Sequence, residues 1–257
     1  MKDSEEIRRY ILITQLDPLY TYHFFNELIF LIKNNNFWDD KKIYIYDLPS
    51  FNESKLKTFF RFYNLYQAKD TTKLIFKYFY FKYLKNRLGM LNKSFSEINV
   101  YFNKLDSVNT SNFKKILSEE PSNVISISAP QIFSKEILST SICKFYNIHC
   151  APLPAYKGMM PNFWQRYHNE QSTSVVLHEM NEKIDQGEIL KKITYPLPNS
   201  ISLHQIMING KLFSAHLFNQ FFTNYKKEEN LFTKGSYFSF PFKNDAEIFR
   251  KRGGKFF

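Results

Sequence analysis

Apolar runs of strand length alternate along this chain with longer stretches of helical period, and that alternation narrows the available folds more than any other feature. Residues 10–14 (YILIT) read as a first strand and residues 42–46 (KIYIY) as a second. Between them, residues 21–33 place Phe24, Phe25, Leu28 and Ile32 on one helical face. Further strands are expected at 97–102, 123–128 and 144–149, with helices at 107–118 and 135–139. Strands separated by helices need crossover connections, so neighbours run parallel, and the weak alternation of 144–149 suits burial on both faces. The predicted class is α/β: a Rossmann-like domain with a mostly parallel central sheet.

Beyond His149 the chain leaves the sheet through Pro152 and Pro154. Pro161 suits the first turn of a helix over 162–168, because that position has no use for the donor proline lacks. Residues 172–180 and 188–195 read as β, with Gln186-Gly187 as the turn between them. Ser202 caps a long amphipathic helix to about residue 225, with Leu203, Ile206, Leu212, His216 and Phe222 on its apolar stripe. No repeat or low-complexity block interrupts the chain. The expected division is residues 1–200 as the main domain and 201–257 as a C-terminal helix with a short, basic, aromatic extension.

Residues 53–93 are the least conventional stretch. Residues 73–93 mix Phe76, Tyr78, Phe79, Tyr80, Phe81 and Tyr83 with Lys73, Lys77, Lys82, Lys85 and Arg87, and read as helix. A membrane-surface helix and a nucleotide platform are both open readings; the favoured one is a packing helix with its aromatics inward and its lysines snorkelling out.

The formal charge of +11, from 35 Lys and Arg against 24 Asp and Glu, favours acidic partners such as nucleotides, phosphorylated sugars, RNA or anionic lipid, without choosing among them. With 28 Phe, 17 Tyr and only 7 Gly, the chain can bury enough apolar surface to exclude disorder. Cys143 and Cys150 flank one strand, which makes neither a disulfide framework nor a zinc site. Residues 1–9 lack the apolar core of a signal peptide, and nowhere do 18 uncharged apolar residues run together. The expectation is a cytoplasmic protein without stable membrane insertion.

The chemistry concentrates between residues 147 and 190. Asn147 and His149 lie two apart on a strand, so they share one face at its C-terminal end, where open α/β sheets place ligands. Leu153-Pro154-Ala155-Tyr156-Lys157-Gly158 follows, and later a loop carrying Asp185-Gln186-Gly187. Taken singly, each has an ordinary reading: Asn as a turn former, His as a packed side chain, Asp as a loop residue. His178 reads as packing, His168 as a helix-end cation, and Trp164 and Tyr167 as core. As an ordered set, however, these residues closely resemble the folate-dependent formyltransferase family, with its Asn-x-His-Pro-Ser, Leu-Pro-x-Tyr-x-Gly and Asp-Glu-Gly-x-Asp-x-Gly motifs. Cys150-Ala151 stands where the family has Pro-Ser, the acidic loop begins with Asn181, and Lys183 replaces a usual Gly.

The resemblance implies the formyltransferase fold and transfer of a formyl group to an amine, with 10-formyltetrahydrofolate as cosubstrate and no metal. It implies that Asn147, His149 and Asp185 are catalytic: Asn147 donating to the developing oxyanion, His149 exchanging the proton, Asp185 fixing the state of His149. It places the folate along Pro130, Gln131, Ile132 and Phe133, with Lys183 and Ile184 opposite, and the acceptor near Tyr156, Lys157, Gly158 and Met160. Met159-Met160-Pro161 and Gly235-Ser236-Tyr237-Phe238-Ser239-Phe240-Pro241 are similar to the sugar N-formyltransferase branch. That branch implies a nucleotide-linked 4-amino-4,6-dideoxy sugar of surface polysaccharide (O-antigen) synthesis as acceptor and no nucleic-acid partner, and it leaves a homodimer open. A methionyl-tRNA formyltransferase is the main rival, but that enzyme carries an added barrel domain for which 226–257 is too short. Glycinamide ribonucleotide formylation fits poorly with 53–93 and the C-terminal extension. A non-catalytic nucleotide-binding relative would have no need of all three polar residues.

Overall fold

The computed structural model describes residues 7–50, 54–224 and 235–257. Its centre is a seven-stranded sheet of order β3-β2-β1-β4-β5-β7-β8. The strands are β1 (Arg9–Thr14), β2 (Lys42–Asp47), β3 (Val100–Lys104), β4 (Ser122–Ile127), β5 (Cys143–His149), β7 (Ser172–Glu179) and β8 (Ile189–Pro196). All six residues of β1 and of β4 are buried, as befits central strands covered on both faces.

The five strands from β3 to β5 run parallel, which confirms the expected α/β class with a mostly parallel sheet. β7 runs antiparallel to β5, and β8 runs antiparallel to β7 because the short link between those two strands has no room for a crossover. Strand order reverses at β1 and β4, and the crevice above their C-terminal ends is the ligand position in open α/β sheets.

α1 (Thr21–Lys33), α3 (Arg87–Phe95) and α7 (Leu203–Thr223) cover one face of the sheet. Phe24, Phe25, Leu28 and Ile32 of α1 are buried there as expected, each worth about 1.5–3 kcal/mol relative to exposure. α4 (Ser111–Leu117) and α5 (Lys135–Leu138) cover the other face through Phe113, Leu117 and Ile137. The stripe of α7 differs from the expected one: Leu203 and Ile206 are buried, but Leu212, His216 and Phe222 are only half-buried, and Ser214, Leu217, Phe218 and Phe221 face the sheet. His216 instead pairs with Glu27 of α1, Nε2 to Oε1 at 3.0 Å.

Two boundaries also move. β3 begins at Val100 rather than residue 97, because the amides of Glu97 and Ile98 bond back to the Ser94 and Phe95 carbonyls at the end of α3. α4 starts at Ser111 because Thr110 Oγ1 accepts from the Phe113 amide and so caps it there.

Helix α2 (Lys55–Phe79) continues into a π-turn over Tyr80–Leu84, and left-handed Asn86 separates it from α3. The helical reading of 73–93 therefore holds with a break, but its inward packing holds only in part, with Tyr78, Tyr80 and Phe81 half-buried. Phe76, Phe79 and Tyr83 are exposed, because no element of the fold lies outside them among the described residues. Arg87 does pack, donating to the Pro18 carbonyl at 2.9 Å and lying 3.5 Å from the Phe81 ring centroid.

β6 (Lys157–Gly158) pairs in parallel with β9 (Tyr237–Phe238), so the C-terminal segment lies directly beside the Asp185 loop. α6 (Pro161–Tyr167) has Pro161 at its first turn, as expected. Its Phe163 packs with Phe249 and Phe256, the former on α8 (Lys243–Lys251).

Candidate active site

Asn147 and His149 project from the C-terminal end of β5, the central strand where parallel pairing gives way to antiparallel. The β7–β8 link brings Asp185 back over them. Asp185 holds a left-handed backbone, φ 53°, an uncommon conformation for a side-chain-bearing residue that costs about 1–3 kcal/mol. The fold recovers this through the carboxylate: Oδ2 accepts the Gly158 amide at 2.9 Å, Oδ1 accepts Asn147 Nδ2 at 3.3 Å, and Oδ2 lies 3.6 Å from His149 Nδ1. The three residues singled out from the sequence thus meet within hydrogen-bonding and ion-pairing reach.

His178 joins them, contrary to its expected packing role. It is buried directly opposite Asn147 in the β5–β7 register, with Nε2 3.1 Å from Asn147 Nδ2 and 3.6 Å from Asp185 Oδ1. Its Nδ1 donates to the Glu179 carbonyl at 2.7 Å, and the tautomer with its proton on Nδ1 lets Nε2 accept from the Asn147 amide. The β7–β8 register slips between Leu177 and His178, a bulge of the kind found where a strand re-aims a side chain beside a site.

The tautomer of His149 follows in the same way. A carbonyl only accepts, so the 2.7 Å bond to the Tyr156 carbonyl puts the proton on Nε2 and leaves Nδ1 of the neutral ring as the basic atom, facing Asp185. Burial lowers the His149 pKa, the Asp185 charge offsetting it in part, so the ring is neutral near pH 7. Burial alone would raise the Asp185 pKa; the His149 and His178 rings beside it and the hydrogen bond from the Gly158 amide hold it well below the usual carboxylate range. A neutral base beside a fixed carboxylate can take up a proton and be stabilised once it has done so.

Two cavities meet at this cluster. The larger, about 980 Å³, runs from Asn147, His149, Gly158 and Asp185 past the switch-point residues Gln15 and Ala129 to the aromatic face of α2. The smaller, about 160 Å³, is bounded by Gln131, Ile132, Phe133, Lys183 and Ile184. Asn147 and Asp185 line both.

Of the other expected residues, Gly158 and Met160 line the larger cavity. Tyr156 and Lys157 line neither cavity: the Tyr156 hydroxyl donates to Glu170 at 2.6 Å, and Lys157 lies in the β6–β9 pair. Tyr156 instead serves the site through its carbonyl. Pro130 lines neither, and the Gln131 side chain is taken up by the Val108 amide and Asp106 carbonyl, each at 3.0 Å. Lys211 of α7 was not anticipated. It reaches into the larger cavity with its ammonium on Ser128 Oγ and 3.7 Å from Cys150 Sγ. A lysine in an amphipathic helix carries no local signal that it points inward.

Residues 82–211 match the formyl transferase family. A methionyl-tRNA formyltransferase from Clostridioides difficile (strain 630) is 33% identical over 98 residues, 37% of this chain and 32% of that protein, so the alignment spans about a third of the curated relative. A sugar N-formyltransferase structure from Shewanella sp FDAARGOS_354 superposes with TM-score 0.59 at 18% identity, covering 91% of this chain and 77% of the other. An N-formyltransferase structure from Helicobacter canadensis, in complex with folinic acid and dTDP-3-aminofucose, gives TM-score 0.54 at 17% identity, covering 91% and 71%.

Proposed function

The chain belongs to the formyl transferase family, and from that premise we propose that it moves a formyl group from 10-formyltetrahydrofolate to the amine of a nucleotide-linked amino sugar. The observation that carries this reading is that Asn147 and Asp185 stand in the wall shared by two cavities. A transfer between two bound molecules needs its polar groups at their meeting point, with each molecule held on its own side.

The folate head belongs in the smaller cavity, where Ile132, Phe133 and Ile184 offer an apolar slot. The acceptor belongs in the larger one. Attack of the neutral amine on the formyl carbon builds negative charge on the formyl oxygen, and the attacking nitrogen must lose a proton. His149 Nδ1 is the base for that proton, and Asp185 stabilises the resulting imidazolium. Asn147 donates to the oxygen by giving up one of its Nδ2 bonds, to His178 or to Asp185, as charge develops. One such donor is worth about 3–4 kcal/mol of barrier. The proton then passes to the departing folate nitrogen.

Support for a sugar acceptor comes from the extent of the likeness: the Shewanella and Helicobacter structures each cover 91% of this chain, whereas the methionyl-tRNA formyltransferase match spans 98 residues. A 4-amino-4,6-dideoxy sugar destined for surface polysaccharide is the finer form of the proposal. The test is a formyl-transfer assay with 10-formyltetrahydrofolate and a panel of nucleotide-linked 3- and 4-amino sugars, beside methionyl-tRNA. Turnover of a sugar nucleotide that vanishes in Asn147→Ala is expected; turnover of methionyl-tRNA alone would overturn the acceptor, and turnover of none would overturn the reaction.

A further inference from the structure

The positive charge of this protein is not spread over it. Residues 54–93 hold ten Lys and Arg against a single acid, Asp70, a net +9 of the whole chain's +11. The same segment presents a concentration of exposed apolar side chains. In the first half of α2, Leu56, Phe59, Phe60 and Tyr63 follow the i, i+3, i+4, i+7 spacing that puts them on one face, and all four are exposed. In the second half Ile75, Phe76, Phe79 and, across the π-turn, Tyr83 are exposed again, followed by Leu84. Leu56 is 71%, Phe76 70% and Leu84 77% exposed, so these residues contribute nothing to the core.

We propose that α2 and its π-turn dock this protein on an anionic lipid bilayer, lying in the headgroup region with the apolar stripe down and the lysines among the lipid phosphates. No described helix is long and apolar enough to cross a membrane, so this helix lies on the surface rather than spanning it. Aromatic rings interleaved with lysines suit an interface whose upper layer is anionic and whose lower layer is hydrocarbon. Lys82 already shows the arrangement, its ammonium 5.3 Å from the ring centroids of both Tyr78 and Tyr83. Asp70 does not oppose such a surface, since it is paired with Arg250 at 3.3 Å and with Lys73 at 3.8 Å.

Charge alone would serve RNA as well. The side chains decide for lipid: Leu56, Ile75, Leu84 and Met90 are exposed aliphatics on which no base stacks. Arg87, which could fork onto phosphate, is held by the Pro18 carbonyl and the Phe81 ring. What the segment offers outward is chiefly lysine with aliphatic and aromatic side chains. Docking would also set the larger cavity at the membrane, because Phe59, Ile75 and Phe79 belong both to the stripe and to the cavity wall.

The test is cosedimentation of the full chain with phosphatidylglycerol-containing vesicles and with pure phosphatidylcholine vesicles, at about 0.05 M and about 0.5 M NaCl. Binding to the anionic vesicles is expected, at least about tenfold weaker on phosphatidylcholine and at the higher salt. Phe76→Ser with Leu84→Ser is expected to weaken vesicle binding by about tenfold or more, with melting temperature and formyl transfer unchanged. Phe76→Trp supplies a positive signal: blue-shifted emission on vesicle addition, quenched by brominated lipid. The proposal is overturned by absence of sedimentation at low salt, by equal binding of the Phe76→Ser, Leu84→Ser protein, or by preference for RNA homopolymer over anionic vesicles. Docking on vesicles does not depend on the formyl-transfer reaction, so vesicle binding without turnover would fault only the proposed reaction.

Discussion

The Asp185 carboxylate accepts the backbone N–H of Gly158 at 2.9 Å, and through this bond the C-terminal segment becomes part of the candidate site. Gly158 has φ 95°, and a Cβ added there would collide with the Phe238 carbonyl oxygen of β9. Gly158→Ala therefore forces either β9 or Asp185 to move. We expect destabilisation of about 1–3 kcal/mol in denaturant unfolding, together with loss of formyl transfer. Retention of full turnover would show that the β6–β9 pair does not brace Asp185.

Asp185→Asn keeps the size of the side chain and removes the charge that faces His149 Nδ1 and His178 Nε2. The expected result is a fall in kcat of about 10²- to 10⁴-fold with KM for the folate little changed. His178→Gln acts one step further out, by freeing the Asn147 amide to turn. It should cost about 10- to 100-fold, the usual range for a residue that only orients a reacting group. Equal losses in the two variants would make His178 a participant rather than a positioning residue.

The strands and most of the helices were legible because their apolar periods are local, and Asn147, His149 and Asp185 were legible because their motifs recur in a fixed order. His178 was hidden by topology. Its role depends on β7 lying antiparallel against β5, so that it stands opposite Asn147, and no local pattern around residue 178 encodes that pairing. Lys211 was hidden by the helix it sits on, and Tyr156 was misjudged because its contribution is a carbonyl, which any residue type supplies. The exposed stripe of α2 escaped for a related reason: aromatic content predicts burial only when another element is there to cover it.

Three histidines carry depressed pKa values. Burial, then Arg87, brings His23 to about 4; burial, then Lys77, brings His204 to about 4; burial lowers His149. Each is below the unfolded value of about 6.5, so between those limits the unfolded chain binds more protons than the folded one. Their contribution to stability is complete above about pH 6.5 and is lost as pH falls toward 4. The melting temperature should decline through that window, less steeply in His23→Gln, and kcat/KM should be flat above about pH 6.5 with its acid limb below. A melting temperature constant down to about pH 4.5 would contradict these assignments.

Arg250 of α8 reaches the break in α2. Gln67 departs from helical geometry at φ 56°, ψ 177°, and immediately before it Arg250 donates to the carbonyls of Leu65 and Tyr66 while pairing with Asp70 at 3.3 Å. The guanidinium also lies 4.3 Å from the Phe256 ring centroid, so one side chain ties α2 to both α8 and the chain's last residues. Arg250→Ala leaves two carbonyls and a carboxylate short of a donor, at an expected cost of about 1–3 kcal/mol in denaturant unfolding. Arg250→Lys, with a single ammonium in place of the fork, should recover only part of that loss. Full recovery by lysine would mean that the charge opposite Asp70 matters here and the carbonyl bonds do not.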